Sequence, residues 1–211
     1  MRNKRIDAVK GIGILLVIIG HINVHRYINT FIYLFHMPLF FIVSGYLYRD
    51  NYNFVKSKLK GLLWPYFTIG GSYLVIEMIC DAILDKFYLI NEIQKLCSLI
   101  YGNQFILVDN NIVGTLWFLP ALFWSNIIFY LIDRKCELRM CIAVSFVVQV
   151  ISIIMLSFFG LRIPMCFEIS LTAIGFYAFG YLLKKIDLLD VTYKFPKALI
   201  LGGGRNTIRD Y

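Results

Sequence analysis

The chain has 211 residues, 59% of them hydrophobic and only 16% charged, with a formal net charge of +8. A soluble domain is roughly half apolar and about a quarter charged, and a chain this short cannot bury such an excess in its own core. An ordinary soluble globule is therefore excluded, and lipid is the natural solvent for the surplus.

Six apolar runs follow in chain order, over residues 8–24, 28–48, 62–82, 112–132, 140–159 and 165–183. Each approaches the ~20 residues that cross a bilayer core. The expected fold is an all-α, polytopic transmembrane bundle of about six spans, with both termini cytoplasmic. The basic N-terminus followed by an apolar run imitates a signal peptide, but no small-residue cleavage motif follows, so the first run reads as a retained span. With that orientation, 17 of the 21 Lys and Arg residues face the cytoplasm and four face outward. This is a strong positive-inside bias. The net charge is thus explained by topology and anionic lipid, and nucleic acid is not an expected partner.

The first span carries Lys10 and His21, eleven residues apart. That spacing is three helical turns plus ~20°, so both project from one face, separated by ~16 Å along the axis. Lys10 then sits at the cytoplasmic mouth and His21 in the outer half of the bilayer. The second span enters from outside and carries His36 to a depth comparable to that of His21. Ionisable groups inside a bilayer are costly and mark functional sites. Imidazole is the side chain best matched to proton transfer near neutral pH. Pro38 is expected to bend this span, and Ser44-Gly45 to permit close helix approach.

Residues 83–111 form the one long loop, outside and of mixed charge. Glu77 and Asp81 lie near the outer end of the third span and Glu168 near that of the sixth. Glu77 and Glu168 are read as interface carboxylates or as lining for an acceptor cavity. Gln149 in the fifth span suggests a helix–helix hydrogen bond, and Asp7 suits a helix N-terminus. Tyr48, Trp64, Tyr66 and Trp117 near span ends suit interfacial belts. The five Cys residues show no CxxC spacing, and two His are too few for a metal site. Cysteine reads as a small apolar filler. After Lys184-Lys185, residues 186–211 read as a truncated or aberrant tail, which leaves 1–185 as the transmembrane domain.

Four blocks carry a resemblance. RIDAVKGIGILLVIIGH (5–21) looks like the opening motif of the acyltransferase type 3 family. FHMPLFFIVSGY (35–46) resembles its second-helix signature, and GTLWFLPALF (114–123) and EISLTAIGFYAFG (168–180) resemble two later blocks. The resembling branch is the one described as fucose 4-O-acetylase-like. The resemblance implies an integral-membrane O-acyltransferase of the bacterial cytoplasmic membrane. Such an enzyme moves an acetyl or short acyl group from acyl-CoA (acetyl-CoA) to a hydroxyl of a cell-surface glycan or lipid-linked precursor, without a metal. His21 matches the family's catalytic histidine, and Lys10 stands where many members have Arg.

On this reading His21 is the general base and His36 orients the acceptor or steadies the oxyanion. Lys10, Arg5 and Lys58 hold the CoA phosphates, and Glu168 and Glu77 line the acceptor site. Family members carry about ten spans, so the chain matches their N-terminal portion, with a missing C-terminal half or a homo-oligomer as the expected completion. Two rival readings are a transporter or flippase in which His21, His36 and Glu168 relay protons, and an inactive fragment.

Overall fold

The computed structural model describes residues 4–21, 25–102, 116–160 and 163–186. Among these residues every regular element is helical: α1 (Lys4–His21), α2 (Arg26–Tyr46), α3 (Phe54–Lys58), α4 (Trp64–Ile83), α5 (Leu89–Tyr101), α6 (Phe118–Asp133), α7 (Leu138–Phe159) and α8 (Phe167–Lys185). Three helical stretches among them are long and apolar enough to cross a membrane: Phe54–Ile83, Leu138–Phe159 and Pro164–Lys185. The apolar part of α2, Thr30–Tyr46, and α6 are shorter. The first run forms α1, whose opening turns carry Lys4, Arg5, Asp7 and Lys10. Asp7 sits in the first turn, where a carboxylate opposes the positive end of the helix dipole.

The centre of the bundle is α8, packed on α2, α6 and α7. Phe41 and Ala173 share one apolar cluster, Gly45 abuts Tyr177, and Lys184 donates to the Tyr48 carbonyl. That order makes α2 and α8 parallel. Ser152 opposite Glu168 and Gln149 opposite Gly175 make α7 antiparallel to α8. Glycine brings α2 and α8 together. A Cβ at Gly45 would strike the Tyr177 carbonyl, and one at Gly180 would strike that of Ile42. Below this contact the rings of Tyr48, Phe54, Phe129 and Tyr181 pack edge to face with centroids 5.2–5.4 Å apart. Each such pair adds about 0.5–1.5 kcal/mol beyond its buried area. Helix α2 continues through Pro38 as one element.

The third span departs from expectation. It starts at Phe54, eight residues before the expected start at 62, and runs unbroken through α3, a π-helical turn over Leu59–Leu63, and α4. The π-turn lies just before Pro65, whose missing N–H would otherwise interrupt the hydrogen-bond ladder. Phe54 stacks on Tyr130 with centroids 5.0 Å apart, while Gly70 lies beside Leu116 just before α6. Residues 71–83 therefore project about 20 Å past the start of α6 at 1.5 Å per residue.

The expected loop over 83–111 contains a helix, α5, which runs back along that projection. Tyr66 donates to the Leu99 carbonyl at 2.5 Å, and Lys95 bonds Asp81. Tyr66, read from sequence as an interfacial residue, is fully buried. Gly102 caps α5 in the left-handed region at φ 79° and abuts Cys166 in the strained turn that opens α8, where Met165 and Cys166 also hold positive φ.

Candidate active site

His36 lies one turn after Ile32 on α2 and is 1% exposed. Its Nδ1 is 2.6 Å from the Ile32 carbonyl oxygen. A carbonyl only accepts, so Nδ1 carries a proton, and the neutral form of the ring has its lone pair on Nε2. Helix geometry thus fixes the tautomer that leaves a basic nitrogen inside an apolar bundle. Gly13 of α1 meets Leu39 and Phe40 of α2. The antiparallel register from that contact carries the end of α1 toward the turn holding Ile32 and His36. His21 closes α1, and its side chain lies outside the described residues.

At the other end of the α1–α2 pair, Lys10 is half-buried and within electrostatic reach of Lys58. Lys58 projects from α3 over the Phe54 ring, 5.3 Å from its centroid. The structure brings these two ammonium groups into one region although 48 positions separate them in sequence. Two like charges held together in partly buried surroundings favour an anion between them. Arg5 is exposed on the first turn of α1.

Between these ends lies a buried network for which the sequence carried only a faint signal. Tyr177 donates to Asn126 Oδ1 at 2.8 Å. Asn126 Nδ2 donates to the Leu122 carbonyl at 2.7 Å and reaches Ser44 Oγ at 3.4 Å. Asn126 and Tyr177 are both fully buried. Ser44 therefore does more than allow close packing, because it ties α2 to α6 and α8. An asparagine inside the apolar run FLPALFWSNIIFYLID was the available clue, since a lone amide in lipid needs partners. Tyr48 similarly donates to Asp133 at 3.0 Å.

Glu168 and Glu77, the two carboxylates expected to line an acceptor site, stand apart on different elements. Glu168, in the first turn of α8, is 5% exposed and accepts the Ile163 N–H at 3.1 Å. It edges a groove of about 460 Å³ between α7 and α8, otherwise apolar apart from Ser152 and lined by Val148, Ile151, Met155 and Leu171. Glu77 belongs to the α4–α5 projection and accepts from Tyr73 at 3.4 Å. Near it, Lys95 donates to Asp81 and to Glu92 Oε1, the latter at 3.0 Å.

Comparison with known proteins bears on what this arrangement does. A 57-residue segment is 44% identical to the nodulation protein NolL of Sinorhizobium fredii, covering 22% of this chain and 16% of that protein. The chain thus matches about a sixth of the length of that curated relative. No solved structure matches. The family described as an acyltransferase domain matches residues 3–202, a stretch that holds His21 and His36, the Lys10–Lys58 pair and all of α1 to α8, and the chain belongs to this acyltransferase type 3 family.

Proposed function

We propose that this chain forms a membrane O-acyltransferase that moves an acetyl or other short acyl group from acyl-CoA to a hydroxyl of a cell-surface glycan or its lipid-linked precursor. The observation that carries the reading is His36, a buried imidazole whose tautomer leaves a base at Nε2, set in a family-matched bundle with an ammonium pair at its far end. Six spans with both termini in the cytoplasm of a bacterial cell accord with the 17-to-four charge asymmetry and with the parallel run of α2 and α8.

In the proposed reaction His21 takes the proton of the acceptor hydroxyl. The oxygen attacks the thioester carbonyl, and the tetrahedral intermediate expels the CoA thiolate, which takes the proton back from the imidazolium. With Nδ1 donating to Ile32, the neutral His36 ring accepts at Nε2 from a second hydroxyl of the acceptor sugar and so orients the reacting one. Steadying the oxyanion would need a second proton on that ring. Lys10 and Lys58, with Arg5 at the rim, hold the phosphates of CoA. Lysine keeps the charge but lacks the bidentate fork of arginine. Glu168 and Glu77 contact the acceptor.

The test is CoA release from acetyl-CoA by the purified protein with a mixed pool of surface-glycan acceptors. Release that vanishes in His21→Ala, with folding intact, supports the reading. Release that persists unchanged removes the proposed base.

A further inference from the structure

The lysines of α3 and the π-turn divide between two faces. Lys56 and Lys60 line one groove together, whereas Lys58, at about 100° per residue some 160° from Lys56, lies on the opposite side. Lys58 turns inward toward Lys10, and Lys56 and Lys60 are exposed. The outward face is a groove of about 480 Å³ lined by Lys56, Leu59, Lys60, Leu63, Trp64 and Phe67. Its composition is graded. Two ammonium groups stand at one end, and Leu59, Trp64 and Phe67, which are 43–68% exposed, continue along the helix.

We infer that this groove is a binding site for one anionic phospholipid. Its headgroup phosphate lies between Lys56 and Lys60, and an acyl chain lies along Leu59, Leu63 and Phe67. Charge complementarity selects the occupant. A zwitterionic lipid gains little from two adjacent cations, and a soluble phosphate gains nothing from the apolar length of the groove. Trp64 stands where an indole favours the boundary between headgroup and hydrocarbon. The site shares no residue with the proposed acyl-transfer machinery, so it stands or falls independently of that reading.

The experiment is native mass spectrometry of the full chain in detergent, titrated with phosphatidylglycerol or phosphatidylcholine. It is paired with quenching of tryptophan fluorescence by dibrominated phosphatidylglycerol. Phosphatidylglycerol is expected to be retained preferentially. Lys56→Gln/Lys60→Gln is expected to weaken it about 30-fold, about fivefold for each lysine, while Lys56→Arg/Lys60→Arg retains it. Lys86→Gln, at an exposed lysine beyond α4, leaves retention unchanged. The quenched component disappears in Trp64→Phe.

Equal retention of the two lipids overturns the inference, as does indifference to the double glutamine variant. Displacement by millimolar inorganic phosphate would reveal a plain anion site. Absence of Trp64 quenching would give the groove to a protein segment or a second copy. If the glutamine variant fails to fold, salt titration of the unaltered protein decides, since headgroup capture by two exposed lysines must weaken as salt screens them.

Discussion

Removing the Tyr177 hydroxyl tests the central network directly. In Tyr177→Phe, Asn126 Oδ1 loses a 2.8 Å donor at a residue with no exposure to solvent. A buried acceptor stripped of its partner costs about 1–3 kcal/mol. Asn126→Leu removes the amide and its bond to Leu122 and takes from the buried Tyr177 hydroxyl its acceptor, so its cost should be of the same order. The two changes share one interaction and should not add. Cycles of this kind inside membranes give about 0.6 kcal/mol on average and about 1.7 at most. Full burial of both partners places the expected coupling near 1 kcal/mol. The measurement is a double-mutant cycle of unfolding midpoints in mild detergent, converted with a common denaturant slope. Additive single mutants, or Tyr177→Phe at parental stability, would refute the claim that this bond fastens α6 to α8.

Four further outcomes are expected. Gly180→Val places side-chain carbon against the Ile42 carbonyl and should cost about 1–3 kcal/mol or more by overpacking, read as a lower midpoint in the same assay. His36→Gln in folded protein should lower the rate of CoA release by about tenfold, the scale of one lost or misplaced orienting hydrogen bond. Lys58→Met should raise KM for acetyl-CoA more than it lowers kcat, because it removes an anion contact made before and during transfer. Lys95→Met leaves Asp81 and Glu92 uncompensated. Its cost should be about 2 kcal/mol, below the ~3–5 kcal/mol of a fully buried pair, because the Asp81 side chain keeps 27% of its surface.

What was legible in the sequence was what depends on a local pattern. Apolar runs gave the all-helical class, and the order of motifs gave the acyltransferase family. Histidine inside an apolar run marked His36, because an ionisable group there needs a reason to exist. Convergence of helices was not legible. Asn126, Ser44 and Tyr177 come from three elements, and no spacing rule links positions 44, 126 and 177. The α3–α4 boundary was missed for a related reason. Lys56, Lys58 and Lys60 made the stretch look like a loop, yet one lysine turns into the bundle and two turn outward, so the helix keeps its charges without interruption.

Helix α5 was illegible because its pattern is inverted. Glu92, Lys95 and Ser98 are buried, at 2%, 5% and 0% exposure, while Leu89, Ile90, Ile93, Leu96 and Ile100 are exposed. Read by the rule for water-soluble helices, the apolar stripe should face the protein, and mixed charge in 83–111 suggested an aqueous loop. The contacts turn that stripe outward and the charged groups inward. Lys95 finds Asp81 on α4 and Glu92 on its own helix, and once paired these groups are better kept from hydrocarbon than exposed to it. Leucine and isoleucine lose nothing by facing lipid. The same inversion runs along α4, where Val75, Ile76, Ile79 and Ile83 are 54–75% exposed. A hairpin that hides its ion pairs and displays its aliphatic residues is arranged for an apolar surrounding. Placing Asp at Ile93 should therefore impair membrane integration while leaving Lys95 and its partners untouched. Protease-protection and carbonate-extraction assays that found Ile93→Asp as firmly embedded as the parent would return α5 to the aqueous phase and undo this account of the projection.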